Sequence, residues 1–108
     1  MQHLLTDSIK SILPRLYATQ DIPAEEKVAV CKFFDPFGSA TWYVVEGQPA
    51  GDDGNWCFFG WCDLGLGMGE WGYVTLADFE SLRRTSRRFI ERDLYWVPGP
   101  VPELAQAS

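Results

Sequence analysis

Apolar and polar residues recur along this chain with two different periods, and the period changes where one element gives way to the next. Within residues 6–19 the apolar side chains follow the i, i+3, i+4, i+7 spacing of a helix with one buried face, at Ile9, Ile12, Leu13 and Leu16. Thr6 or Asp7 can cap the free amides of its first turn. Pro14 lacks a backbone N–H, so the pattern predicts a short helix that ends or kinks there.

From Lys27 onward the period is two. Four segments rich in β-branched and aromatic residues are separated by Gly, Pro and Asp, at residues 27–34, 40–47, 56–63 and 70–76. Because such short connections can join only antiparallel neighbours, these segments predict an antiparallel meander.

A helical pattern returns at Thr75, where Thr75 and Asp78 resemble a capping box. Residues 92–97 predict a fifth strand, and the prolines that follow it exclude a continuing helix.

The expected fold is therefore α+β, with the element order α-β-β-β-β-α-β. It has one antiparallel sheet of four to five strands and two short helices. A chain of 108 residues is long enough for one core and too short for two, so residues 1–108 are expected to form a single domain. Its core would span about residues 4–98, and a Pro-rich tail would occupy residues 98–108.

Composition favours a folded protein of the cytoplasm. The chain is 46% hydrophobic and only 22% charged, unlike a disordered segment. No apolar run approaches the roughly 18 residues of a membrane helix, and the acidic N-terminal segment does not resemble a signal peptide. Three cysteines, an odd number, fit free thiols in a reducing compartment better than a disulfide framework.

Charge is distributed unevenly along the sequence. The net charge of −6 argues against binding to nucleic-acid phosphates. Residues 1–82 carry four basic and twelve acidic side chains, net −8, whereas residues 83–108 carry five arginines and three acids, net +2. The arginines are the candidate anion-facing residues: Arg83, Arg84, Arg87, Arg88 and Arg92.

The sequence holds no strong catalytic, metal or cofactor motif. Residues 67–72 read G-x-G-x-x-G, but a strand pattern follows where a dinucleotide site needs a helix, so a hairpin loop is expected. Cys57 and Cys62 are five residues apart, which places them on opposite faces of a strand and argues against a shared metal ion. The single histidine, His3, lies near the chain terminus, away from any evident nucleophile.

Two further groups of residues have candidate roles. Asp63 and Glu70 flank the glycine-rich loop and, with nearby tryptophans, form the basis for a small-molecule site or an enzyme. Aromatic residues occupy both faces of the predicted strands, and a face left uncovered would be a binding surface for a partner. The candidate partner surface comprises Trp42, Asp52, Asp53, Trp61, Asp63, Glu70 and Trp71.

Several blocks together resemble the bacterial domain-of-unknown-function family 2958: "LLTDSIKSILPRLYAT", "VCKFFDP", "TWYVVEG", "FFGWCD", "GYVTLADFESLR" and "IERDLYWVP". The resemblance spans nearly the whole chain in order. It implies a small stand-alone protein of the kind frequent on plasmids, integrative elements and phages. It implies no activity and no catalytic residue.

Taken together, these patterns favour a non-enzymatic binding protein of mobile-element origin that contacts a protein partner through an acidic and aromatic surface. A counter-defence role against a host nuclease or restriction complex is a further hypothesis, because acidic proteins can occupy DNA-binding grooves. The alternatives are a small-molecule-binding protein or enzyme that uses Asp63 and Glu70, and a nucleic-acid binder that uses residues 83–92. The sequence does not identify the partner or the oligomeric state.

Overall fold

The computed structural model describes residues 4–65, 67–86 and 90–105, with side chains for all of these except residues 83–86 and 105. Helix α1 spans Asp7–Ile12, and a short 3-10 helix spans Ala24–Glu26. The strands are β1 at Val28–Ala29, β2 at Cys31–Phe34, β3 at Thr41–Pro49, β4 at Trp56–Asp63 and β5 at Glu70–Thr75. Helix α2 spans Leu76–Ser86, followed by β6 at Glu91–Arg92, β7 at Gly99–Pro100 and α3 at Pro102–Ala105.

The central element is a five-stranded antiparallel sheet in the order β5-β4-β3-β2-β6. Its elements, with α1 and α2, occur in the predicted order α-β-β-β-β-α-β, so the α+β prediction and the antiparallel meander are confirmed. A second, two-stranded sheet pairs β1 with β7.

Both main helices begin where the sequence indicates, and α1 also ends there. The Ile9 amide donates to Thr6 Oγ1 at 3.2 Å, and α1 ends two residues before Pro14. At α2 the Asp78 amide donates to Thr75 Oγ1 at 3.1 Å, and the Thr75 amide donates to Asp78 Oδ2 at 2.9 Å. The predicted capping box is therefore present.

The larger core lies between the sheet and helices α1 and α2, on a side that we call the helical face. Phe33, Phe58 and Phe79 are fully buried there, with edge-to-face ring contacts at centroid distances of 5.3 and 5.7 Å. The smaller core lies on the opposite face, where Tyr43 packs in one cluster with Val101. Both faces of the sheet are thus covered in part.

The end of the chain differs from the prediction. The expected strand at residues 92–97 is only Glu91–Arg92, because Asp93 starts a turn in which Oδ1 accepts the Tyr95 amide at 2.9 Å. Residues 99–104 pack against the body of the protein rather than extending as a tail. Val101 is fully buried, and α3 contacts the 3-10 helix.

The G-x-G-x-x-G segment is a hairpin connection, as predicted. Gly67 has a φ of +75°, and Gly72 lies within β5 opposite Gly60 rather than at the start of a helix. Such a φ favours glycine, so the turn requires glycine at position 67.

Candidate binding surface

Strand β5 forms an edge of the sheet. In the described part of the chain, β5 pairs with β4 and no strand pairs with its outer side. The Thr75 amide is bound to the Asp78 side chain instead of to β4. Because residues of an antiparallel strand point their backbone groups alternately toward each side, the N–H and C=O groups of Tyr73 and Trp71 also point outward. An extended segment could therefore pair with this edge.

Aromatic rings form a continuous row beside that edge, on the opposite face. Phe59 stacks on Trp71 with a centroid distance of 5.3 Å and an interplanar angle of 12°. Trp61 meets Trp71 edge to face at 5.4 Å, and Phe59 meets Tyr73 at 5.1 Å. The indole N–H of Trp61 donates to Glu103, which ties the row to α3. Tyr73 remains 56% exposed and gives the edge an accessible aromatic ring.

On the helical face the same edge opens into a cavity of about 180 Å³, here called the glycine slot. Gly72 and Gly60 are paired directly across β5 and β4, so neither fills the space between its neighbours. Trp42, Phe58 and Val74 contribute apolar walls, and Glu70 lies on the lining. A pocket with apolar walls and one charged group suits a ligand with an apolar body and a charged end.

The segment of the chain that contains this edge is acidic. Residues 33–82 contain eight acidic side chains and no Lys, Arg or His. Cys62 lies opposite Glu70 on the helical face, and its thiol pKa is raised by burial and then by the carboxylates of Glu70 and Asp63. Both effects favour the protonated form of the thiol. Among the described residues there is no group of three or more His, Cys, Asp or Glu side chains placed to hold a metal ion.

A buried charged cluster on the opposite face was missed by the sequence reasoning. Glu46 is 3% exposed; its Oε1 accepts the Tyr17 amide at 2.7 Å, and its Oε2 accepts the Thr19 amide at 2.9 Å and the Thr19 hydroxyl. Lys27, also buried, donates its Nζ to the Thr19 carbonyl. Tyr17 has a φ of +71°, so these bonds hold a strained residue in place.

This cluster borders a cavity of about 230 Å³ whose lining includes Tyr17, Lys27, Glu46 and Tyr73. A hydrogen bond with the Tyr17 side chain raises the pKa of Tyr73 above its ordinary value. The sequence signal for this cluster is a charged residue within each of two apolar strand patterns, Glu46 in "YVVEG" and Lys27 in "EKVAV". The cluster anchors the loop of residues 16–22 over the sheet.

The tryptophans of the predicted partner surface lie on two faces of the sheet. Trp61 and Trp71 belong to the aromatic row. Trp42 lies on the helical face, where its ring meets Phe79 edge to face at 5.0 Å. The structure brings Trp42 and Glu70 together in the lining of the glycine slot.

The predicted carboxylates lie in three places. Glu70 is paired with Cys62, so Asp63, the next residue along β4, points to the other face. Asp63 Oδ1 instead accepts the Gly65 amide at 2.7 Å. Asp52 and Asp53 are exposed in the loop at the far end of β4, roughly 20 Å away at about 3.3 Å per residue. The carboxylates proposed for an enzyme therefore do not converge.

The cysteines lie as the spacing predicts, with Cys57 and Cys62 on opposite faces of β4. All three cysteines are free thiols. Burial raises the pKa of the Cys31 thiol to about 12, an effect that the charge of Arg92 partly offsets.

Of the predicted anion-facing arginines, one has a described side chain. Arg92 is half-buried in β6, and its guanidinium donates to the Leu4 carbonyl at 3.1 Å, so this residue serves the fold. Arg83 and Arg84 belong to α2, but their side chains lie outside the described residues, as do Arg87 and Arg88 entirely.

A second cleft lies at the other edge of the sheet. It has a volume of about 300 Å³, and its lining includes Ile9 and Ile12 of α1, Leu94 and Pro98. Tyr95 is 93% exposed on the same connection. This cleft provides a control region, because it is apolar and exposed but lacks a long free strand edge.

Comparison with known proteins identifies a family for this chain. The model of a family described as "Protein of unknown function (DUF2958)" matches residues 4–102. No curated protein and no solved structure matches the chain significantly. None of the described helices is both long and apolar enough to cross a bilayer.

Proposed function

We propose that this chain, which belongs to the DUF2958 family of unknown function as its sequence blocks predicted, is a non-enzymatic protein-binding module. Its partner contributes an extended, basic segment that pairs with the outer edge of β5. The observation that carries this proposal is the outward-facing backbone of Trp71 and Tyr73.

Three features support pairing at this edge. Main-chain hydrogen bonds from an added strand supply affinity without a preformed pocket. The aromatic row on one face and the glycine slot on the other flank the edge, so side chains of an added strand meet a surface on both sides. The acidic surroundings favour a basic partner and disfavour a second copy of this chain, which also carries a net charge of −6.

We also propose a biological setting for this binding. A protein of mobile-element origin in the cytoplasm can protect its element by occupying the basic DNA-binding surface of a host nuclease or restriction complex. The negative charge of residues 33–82 supports that role, because it presents the sign of charge that such surfaces attract.

Capture of partners from a bacterial host lysate, compared among matched variants, tests the proposal. Tyr73→Pro removes an outward N–H and leaves the bonds to β4 intact, since proline is tolerated at a strand edge in this orientation. Tyr73→Val keeps the N–H and removes only the ring. Tyr95→Ala removes an exposed ring at the other edge of the sheet.

We expect the unmodified chain to capture a protein that has a basic extended segment. The Tyr73→Pro variant should not capture this protein, whereas the Tyr95→Ala variant should still capture it. Rising salt concentration should weaken the capture. Capture that Tyr73→Pro leaves unchanged would overturn the proposal, as would capture that fails with Tyr95→Ala. Size-exclusion chromatography separates the remaining outcome. If the chain forms a homodimer that Tyr73→Pro abolishes, the occupant of the β5 edge is a second copy of this chain and not a basic partner, and the proposal is wrong.

A further inference from the structure

We propose that the glycine slot binds the side chain of an arginine, with its guanidinium between the Trp42 ring and the Glu70 carboxylate. The inference deepens the function proposed above and rests on it, because the arginine belongs to the segment that pairs with β5. It assigns a chemical class of ligand to one cavity.

The slot exists because two glycines face each other. A Cβ at Gly72 would meet no other atom within 4 Å, whereas a Cβ at Gly60 would collide with the Tyr43 carbonyl. The close approach of β3 therefore requires Gly60, but no contact requires Gly72. The volume of about 180 Å³ exceeds the roughly 150 Å³ of a cavity that accommodates benzene, so a guanidinium and its methylene stem fit.

The lining selects a cation with an apolar stem. Phe58 and Val74 offer apolar contact for methylene groups, and a guanidinium stacks on the face of a tryptophan such as Trp42. Glu70 is exposed and lies in the lining, where it can accept paired hydrogen bonds from the planar guanidinium. An anionic or purely aliphatic side chain would leave the Glu70 carboxylate without a hydrogen-bond donor from the ligand.

The position of the slot matches the reach of a long side chain. A residue of an added strand opposite Gly72 directs its side chain to the same face as Gly72. With strands about 4.8 Å apart, the space between Gly72 and Gly60 lies roughly 7 Å from that added strand. Glycine at position 72 leaves the path open. An arginine side chain spans this distance, whereas a leucine does not.

The test uses N-acetylarginine methylamide as probe and N-acetylnorleucine methylamide as its neutral match. Binding is followed by amide NMR shifts at Gly60 and Gly72 and by the indole N–H of Trp42. Alkylation of Cys62 by iodoacetamide gives a second readout, because Cys62 lines the slot. Glu70→Gln removes the charge, and Gly72→Val fills the slot from an open position. Asp53→Asn is the control, since it removes an equal charge at the far end of β4.

The arginine probe should shift these signals saturably and slow the alkylation of Cys62, while the norleucine probe does neither. Glu70→Gln should weaken binding by about fivefold, the upper range for an exposed ion pair, and Gly72→Val should abolish it. Asp53→Asn should bind like the unmodified chain. Equal shifts with both probes, or binding unaffected by Glu70→Gln, would overturn the inference.

The two proposals fail separately. If Tyr73→Pro abolishes partner capture but the arginine probe does not bind, the edge function stands and the slot assignment falls. If the probe binds in the slot but Tyr73→Pro leaves partner capture unchanged, the slot is a cation site that acts without strand pairing. The proposed function then falls, and the arginine is not part of an added strand.

Discussion

Replacing Glu46 with glutamine should destabilise the protein by weakening the hydrogen bonds that hold the loop of residues 16–22. The carboxylate is 3% exposed and both oxygens accept hydrogen bonds, one from the Tyr17 amide and the other from the Thr19 amide and hydroxyl. Glutamine has nearly the same shape but only one accepting oxygen. Its NH₂ group must therefore face a donor on Tyr17 or on Thr19, and at least one hydrogen bond is lost.

The magnitude follows from the chemistry of that lost bond. A hydrogen bond to a charged group contributes about 1.5–3 kcal/mol, and the unpaired donor adds a desolvation cost unless the loop moves to reach water. Because Tyr17 is exposed, we expect that movement and a net loss of about 2–3 kcal/mol. For a domain of this size the melting temperature should fall by roughly 10–15 °C.

Urea and thermal unfolding, followed by tryptophan fluorescence, measure this loss. Asp53→Asn is the matched control, because the exposed Asp53 accepts only the Asn55 amide among its described contacts, at 3.2 Å, and should change stability by less than about 0.5 kcal/mol. Lys27→Met combined with Glu46→Gln should cost less than the sum of the single changes, since each single change leaves one buried charge behind. Equal stability of Glu46→Gln and Asp53→Asn would refute the anchoring role.

Three further predictions concern single positions. Gly60→Ala should cost about 3 kcal/mol or more because its Cβ meets the Tyr43 carbonyl, whereas Gly72→Ala should be neutral or stabilise by about 0.4–1 kcal/mol; urea unfolding that ranks them equally would contradict this. Burial raises the pKa of the Cys31 thiol from 9.0 to about 12, so the folded state keeps a proton that the unfolded chain loses. Stability from this group should be complete below about pH 9 and fall by up to about 1.4 kcal/mol per pH unit towards pH 12, a slope that Cys31→Ala should reduce in unfolding titrations; an unchanged slope would count against it. Thr75→Ala should cost about 1 kcal/mol by removing the cap of α2, and a melting temperature equal to that of the unmodified chain would show that the cap contributes nothing.

Local sequence signals were sufficient for strands β2 to β5 of the main sheet, but not for β6. Strand β4 occupies the predicted residues 56–63, because an aromatic-rich run bounded by Gly and Asp turn residues indicates a strand without reference to the rest of the fold. The capping box at Thr75 is equally local. The failures are contacts between distant segments, such as β7 pairing with β1 about 70 residues away. Nothing near Pro98 indicates that Val101 will be buried.

The buried Glu46 escaped prediction because of one inserted residue. Val44 pairs with Gly60 and Glu46 pairs with Phe59, so Val45 is an extra residue in β3. Regular alternation from Val44 would put Glu46 on the helical face among the phenylalanines. The bulge moves it to the opposite face, where Tyr17 and Thr19 provide donors. A bulge has no reliable sequence signal, and so neither the anchor nor its cavity could be found from periodicity.

The charge around β5 connects its open edge with its choice of partner. Proteins usually protect an exposed strand edge with lysine, proline or a bulge, but β5 has none of these and presents Trp71 and Tyr73 instead. The charged side chains that flank its outward backbone groups are Glu70 and Asp78. Two copies of this chain pairing through β5 would bring these carboxylates together, which opposes self-association. In the proposed function the same carboxylates attract a basic strand, so that charge favours this class of partner over a second copy of the chain.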